Sequence, residues 1–137
     1  MTFLLEIITP ERIAYSEEVA MVRAPSAAGV VGILAHHEPL FSKLVEGELK
    51  IQKEKDEIFL AIGGGFLEVT PKKVTILVTE AVHAQEINEK EMLEAKRRAE
   101  EALKSKPTGA ELVAAQNLFR RSTIALKISQ RKRRTIS

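Results

Sequence analysis

Apolar positions along residues 1–84 fall into short runs of strand length. Phe3-Leu4-Leu5-Glu6-Ile7-Ile8 is one, and Val19-Ala20-Met21-Val22-Arg23-Ala24-Pro25 is another. Leu49-Lys50-Ile51-Gln52-Lys53 alternates with period two, the mark of a strand with one buried face. A polar turn, Lys53-Glu54-Lys55-Asp56, leads into Ile58-Phe59-Leu60-Ala61-Ile62, which reads as a buried strand. Phe66, Val69, Val74, Ile76 and Val78 belong to a further pair joined through Thr70-Pro71-Lys72-Lys73. Short strands with turn signals about every ten residues predict an all-β sandwich.

The period changes near Ala84-Gln85-Glu86-Ile87-Asn88. Asn88 is a good N-cap and Glu91 follows three residues later, a capping-box-like start. Met92, Ala95, Ala99, Ala102 and Leu103 then recur at helical spacing. Ser105-Lys106-Pro107 stops this helix, and Thr108 with Glu111 repeats the starting pattern. Leu112, Ala115, Phe119, Ser122, Thr123 and Leu126 form a second stripe. The expected fold class is therefore α+β in the order β then α. An N-terminal antiparallel β-sandwich (1–84) precedes an antiparallel two-helix hairpin (85–137, helices 88–105 and 108–130) with a basic tail. Both helical stripes are rich in alanine. Each buried methylene contributes only about 0.8 kcal/mol, so the hairpin is expected to be held weakly and to detach from its resting place.

Two glycine-containing stretches break the strand pattern. Gly29-Val30-Val31-Gly32-Ile33-Leu34-Ala35-His36-His37-Glu38-Pro39-Leu40-Phe41 reads as a tight corner between two short strands, with His36, His37 and Glu38 at the surface. Gly63-Gly64-Gly65 is followed by strand-like residues and by no Lys-Ser/Thr, which argues against a phosphate-cradling loop and for a bulge or sheet corner.

Charge adds a polarity along the chain. Residues 1–84 hold 8 Lys+Arg and 12 Asp+Glu, net −4; residues 85–106 hold 6 and 6; residues 107–137 hold 7 and 1, net +6. The last segment therefore predicts an acidic partner surface. There is no cysteine, so disulfides and thiolate metal sites are excluded. No apolar run approaches the roughly 18 residues of a membrane span. Met1-Thr2-Phe3-Leu4-Leu5-Glu6 lacks the basic region of a signal peptide.

No Ser-His-Asp or Cys-His set and no metal motif is present in the 137 residues. A metal at His36-His37-Glu38 is disfavoured, because adjacent side chains in extended backbone point to opposite faces. The residues by themselves describe a sandwich with a detachable basic hairpin, an interaction module and not an enzyme.

The pattern Gly32-Ile33-Leu34-x-x-His37-x-Pro39-Leu40 resembles the hallmark of the epsilon subunit of bacterial and chloroplast F-type ATP synthases. The resemblance continues in Ile8-Thr9-Pro10-Glu11-Arg12 with Tyr15, in Val19 to Pro25, in Gly64-Gly65-Phe66-Leu67-Glu68-Val69 with Val74-Thr75-Ile76-Leu77, and in Ala95-Lys96-Arg97-Arg98-Ala99-Glu100. It implies a non-catalytic rotor subunit, a monomer within a proton-driven ATP synthase, peripheral to the cytoplasmic face of a bacterial plasma membrane or to a thylakoid. The implied partners are the gamma subunit, the c-ring and the beta subunits, with no nucleic acid. It implies stalk and c-ring contacts at Gly32, His37, Pro39 and Leu40. It implies inhibitory contacts to acidic beta-subunit segments from Arg120, Arg121, Lys127, Arg131, Lys132, Arg133 and Arg134. Many members carry an acid before the corner, where this chain reads Ala28-Gly29-Val30-Val31, so an apolar contact is expected there.

Some members bind ATP on the hairpin through I-D-x-x-R-A and two second-helix arginines. The matching positions here are Ile87, Asn88, Glu91 and Met92, with Arg121 at one arginine and Ala125 at the other. Glu91 places a like charge beside a polyphosphate, so ATP binding is expected to be weak or absent and no cofactor is expected. The alternative reading is a basic-tailed adaptor for nucleic acid or an anionic membrane. It lacks the interleaved aromatics of single-strand binders and any recognisable DNA-binding motif.

Overall fold

The computed structural model describes the backbone of residues 1–136 and the side chains of residues 1–130. The chain divides into two compact units, Met1–His83 and Ala84–Ser137.

The first unit contains ten strands: β1 (Phe3–Ile8), β2 (Ile13–Val19), β3 (Met21–Ser26), β4 (Gly29–Leu34), β5 (Leu40–Leu44), β6 (Gly47–Lys53), β7 (Asp56–Ile62), β8 (Gly65–Val69), β9 (Lys73–Val78) and β10 (Ala81–His83). They form two leaves, β4-β3-β6-β7-β10 and β5-β8-β9-β1-β2, joined where Ser26 of β3 pairs Leu44 of β5. The predicted antiparallel sandwich needs one correction: β1 pairs β9 in parallel, Leu5 opposite Val74 and Ile7 opposite Ile76. β1 is inserted between β2 and β9, strands that arrive from opposite directions, so it is antiparallel to one and parallel to the other.

Alternation decides what lies between the leaves. Leu5 and Ile7, Leu49 and Ile51, Leu67 and Val69, and Val74 and Ile76 point inward and join a single buried cluster with Val22, Ile33, Leu44 and Leu60. Val19 to Pro25 is not one strand. It breaks at Ala20, whose N–H donates to Gln52 O (2.8 Å), and the chain passes there from one leaf to the other. Ser16, Glu17 and Glu18 of β2 are all exposed, so its sequence hides its strand character.

The glycine run makes the opposite passage, from β7 to β8, and Thr79-Glu80 returns beside it. Gly63 N–H donates to Glu80 O (2.9 Å) and Thr79 N–H donates to Gly64 O (3.1 Å). Here glycine is required by proximity: a Cβ on Gly65 would lie 1.8 Å from Leu77 O.

The second unit opens with a 3-10 turn (Ala84–Glu86) and holds α1 (Glu89–Lys104) and α2 (Gly109–Ile136). The Asn88 side chain accepts from Glu91 N–H (3.2 Å) at the start of α1. Ser105 closes it, its hydroxyl donating to Ala102 O (2.7 Å). α2 passes the predicted end at 130, because no Gly or Pro interrupts it and Lys and Arg are good helix formers.

The seam is narrower than the predicted stripes. Ala95 and Ala99 of α1 and Ala115, Ser122, Ala125, Ile128 and Ser129 of α2 are buried, whereas Ala102 and Thr123 face outward. Small side chains let the helices approach but remove little apolar surface from water. Ser129 Oγ shares its one proton between Glu89 Oε1 (3.0 Å) and Leu126 O of its own helix (2.9 Å), and Lys96 Nζ lies 5.8 Å from the Phe119 ring centre, so two polar contacts supplement the seam.

Candidate functional site

The corner between β4 and β5 carries four of the predicted contact residues. Ala35 and His36 make the turn, with His36 in the left-handed region (φ 64°). His36 thus departs from the extended backbone the sequence suggested. His37 N–H donates to Leu34 O (3.2 Å). His37 Nδ1 lies 2.7 Å from Glu38 O; a carbonyl only accepts, so Nδ1 carries the proton. His37 and Pro39 are exposed, Gly32 is open on the outer side of β4, and Leu40 is half-buried against the core. Leu40 therefore anchors the corner to the core while part of its side chain stays accessible. No group of three His, Cys, Asp or Glu side chains among the described residues is placed to hold a metal ion.

The outer face of the second leaf carries residues that sequence reasoning missed. Phe41 (65% exposed) stacks on Phe66 (46% exposed), ring centres 5.3 Å apart. Phe66 pairs across the ladder with Leu77, which is 49% exposed, and Leu77 with Ile8. This apolar row spans four neighbouring strands, beyond the scattered exposed apolar residues that any surface carries. The signal was available: in β5, Leu40, Ser42 and Leu44 take the inward parity and leave Phe41 outside.

On the second unit, Arg120 and Lys127 are seven residues apart and exposed on one face of α2. Arg120 Nη2 donates to Asn117 Oδ1 (2.7 Å). Arg121 is turned aside and lines a cleft of about 410 Å³ with Glu91, Met92, Glu94, Arg98 and Ser122. Of the positions matched to the ATP motif, the structure brings Glu91, Met92 and Arg121 together. Asn88 is occupied as a cap, Ile87 is half-buried and Ala125 is buried in the seam. The side chains of Arg131, Lys132, Arg133 and Arg134 lie outside the described residues.

Residues 2–84 match the family model of the ATP synthase delta/epsilon chain beta-sandwich domain. The ATP synthase epsilon chain of Herpetosiphon aurantiacus is 44% identical over 133 residues, 97% of this chain and 98% of that one. The chain belongs to the ATP synthase epsilon chain family. The epsilon chain of Halorhodospira halophila is 48% identical over 105 residues, 75% of this chain and 74% of its own. Among solved structures, a chain of the Euglena gracilis mitochondrial ATP synthase, OSCP/F1/c-ring, has a TM-score of 0.70 at 25% identity, covering 99% of this chain and 82% of that one. A chain of the Tetrahymena thermophila mitochondrial ATP synthase central stalk and c-ring has a TM-score of 0.59 at 18% identity and shares the fold, covering 94% of this chain and 97% of that one.

As an epsilon chain, the protein is a non-catalytic rotor subunit of the F-type ATP synthase. It belongs to the membrane-associated F1 complex, and no described helix is long and apolar enough to cross a membrane. The epsilon fold supplies an apolar sheet face and a histidine corner on the first unit and a cationic helix face on the second.

Proposed function

We propose that the sandwich couples the stalk to the membrane ring, while the hairpin restrains ATP hydrolysis by engaging the catalytic head. The sandwich binds the gamma subunit through the Phe41–Phe66–Leu77 face, and the corner of Gly32, His37, Pro39 and Leu40 meets both the stalk and the c-ring. The hairpin presents Arg120 and Lys127, with the basic residues 131–134, to acidic segments of the beta subunits. The subunit works as a monomer within the complex at the cytoplasmic face of a bacterial plasma membrane, without nucleic acid.

The observation that carries this reading is the contrast between the two units. The sandwich closes around large buried Leu, Ile and Val side chains, whereas the hairpin is closed mainly by Ala and Ser. A unit closed so thinly separates at low cost, and its exposed cations supply the electrostatic target.

The test adds either the full chain or a version ending at Gln85 to a head-plus-gamma complex depleted of this subunit. Every member of the sandwich core lies before residue 84, so the shorter version keeps the whole core. Binding by both versions with inhibition of hydrolysis only by the full chain is expected. Equal inhibition by both would refute the hairpin's role, and binding by neither would refute the stalk assignment. ATP binding at the Glu91–Arg121 cleft is expected to be weak, and submillimolar affinity in calorimetry would contradict that.

A further inference from the structure

We propose that β4 is a strand acceptor: an extended segment of the gamma subunit pairs with its free edge, main chain to main chain. This rests on the reading above that the sandwich binds gamma, and it specifies how part of that contact is made.

Three strands of the sandwich pair on one side only, namely β2, β4 and β10. Exposed edges invite unwanted pairing, and proteins blunt them with charge, shortness or a covering group. β2 carries Glu17 and Glu18, and Glu17 is held by Lys53 (2.9 Å). β10 is three residues long, and Arg12 Nη2 covers it by donating to Ala81 O (3.2 Å). β4, Gly-Val-Val-Gly-Ile-Leu, has six residues, no charge and no proline. It is the unguarded edge in a chain that is 29% charged.

The ladder shows which groups it offers. Val45 N–H donates to Pro25 O (2.9 Å) and Ala27 N–H to Lys43 O (3.0 Å), so the odd-numbered residues of β3 turn their main chain toward β5. Main-chain groups alternate between the two edges of a strand. Val22, Ala24 and Ser26 therefore turn toward β4, where their partners are Ile33, Val31 and Gly29. Val30 and Gly32 point their N–H and C=O groups the other way, to the open edge.

The same two residues face outward on the sheet. Val30 is 70% exposed, Leu34 is 61% exposed, and a Cβ added to Gly32 between them would meet nothing within 4 Å. The donated strand thus finds two pairs of hydrogen-bonding groups about 7 Å apart and an uncharged surface for alternate apolar side chains. β4 also runs directly into the histidine corner, so the edge is continuous with the proposed contact surface.

Residue-resolved amide exchange of the full chain, free and bound to gamma, tests this. The expected result is fast exchange at Val30 and Gly32 in the free chain and at least about tenfold protection in the complex. Val31 and Ile33, already paired to β3, are slow in both states. Gly32→Pro removes one outward donor at an edge where proline is tolerated, and it is expected to weaken gamma binding while the chain stays folded. Fast exchange at Val30 and Gly32 in a formed gamma complex would overturn the proposal while leaving the stalk assignment standing. Failure to bind gamma at all would overturn both. A dimer of the chain alone with the same two amides protected would give the edge to a second copy and also overturn it.

Discussion

Gly65→Ala isolates the geometry of the crossing between leaves. The added Cβ would lie 1.8 Å from Leu77 O, 2.8 Å from Leu77 C and 2.8 Å from Val78 Cα. All three are backbone atoms of β9, which is fixed by β8 on one side and by β1 on the other. No rotamer change relieves the overlap, so β8 and β9 must separate. Overpacking a core with side chains costs about 1–3 kcal/mol, and a backbone displacement belongs at or above the top of that range. At about 3 kcal/mol, a domain of this size loses roughly 12–24 °C in Tm. Gly64→Ala is the internal control, since its nearest new contact is Leu44 O at 3.6 Å; it is expected within about 0.5 kcal/mol of the parent. Gly63→Ala meets Thr79 Oγ1 at 2.0 Å, a side-chain atom able to rotate away, and should cost about 1–2 kcal/mol. Urea and thermal unfolding followed by circular dichroism read all three. A Gly65→Ala variant within about 1 kcal/mol of Gly64→Ala would refute the reasoning.

The one hydroxyl proton of Ser129 is shared between Glu89 Oε1 (3.0 Å) and Leu126 O (2.9 Å), so Ser129→Ala should lower hairpin stability by only about 0.5 kcal/mol; hydrogen exchange should quicken in α1 and α2 and not in the sandwich. The hydrogen bond from Lys53 holds the Glu17 carboxyl below its ordinary value of 4.5. Folded below unfolded means that this contribution is full above about pH 4.5 and is lost as pH falls through the folded value. Urea titrations across that window should therefore show less acid sensitivity in Glu17→Gln than in the parent. Arg120→Glu combined with Lys127→Glu should weaken inhibition of hydrolysis roughly tenfold at low salt, and less at high salt. An unchanged inhibition curve would remove those two cations from the inhibitory contact.

Local rules were enough where the deciding contacts are close in sequence. Leu49 and Ile51 alternate with polar neighbours, and that alone requires a strand with one buried face. Asn88 and Ser105 bound α1 because caps satisfy backbone groups within a turn of themselves. The change from period two to helical spacing near residue 84 divides the chain for the same reason. Tertiary pairing decided the rest. Val19 to Pro25 reads as one apolar run, and only the bond from Ala20 to Gln52 reveals that it changes leaf. The parallel β1–β9 ladder joins residues about seventy apart, which no local pattern encodes. Phe66 looks like core by composition and lies outside, because its neighbours Leu67 and Val69 take the inward parity of β8. Gly63-Gly64-Gly65 signalled a corner, but the reason for glycine at 65 is a carbonyl of β9 that arrives from another strand. Sequence specifies the local period and the caps. Which face, which edge and which neighbour follow from long-range packing, since those contacts exist only once both leaves are in place.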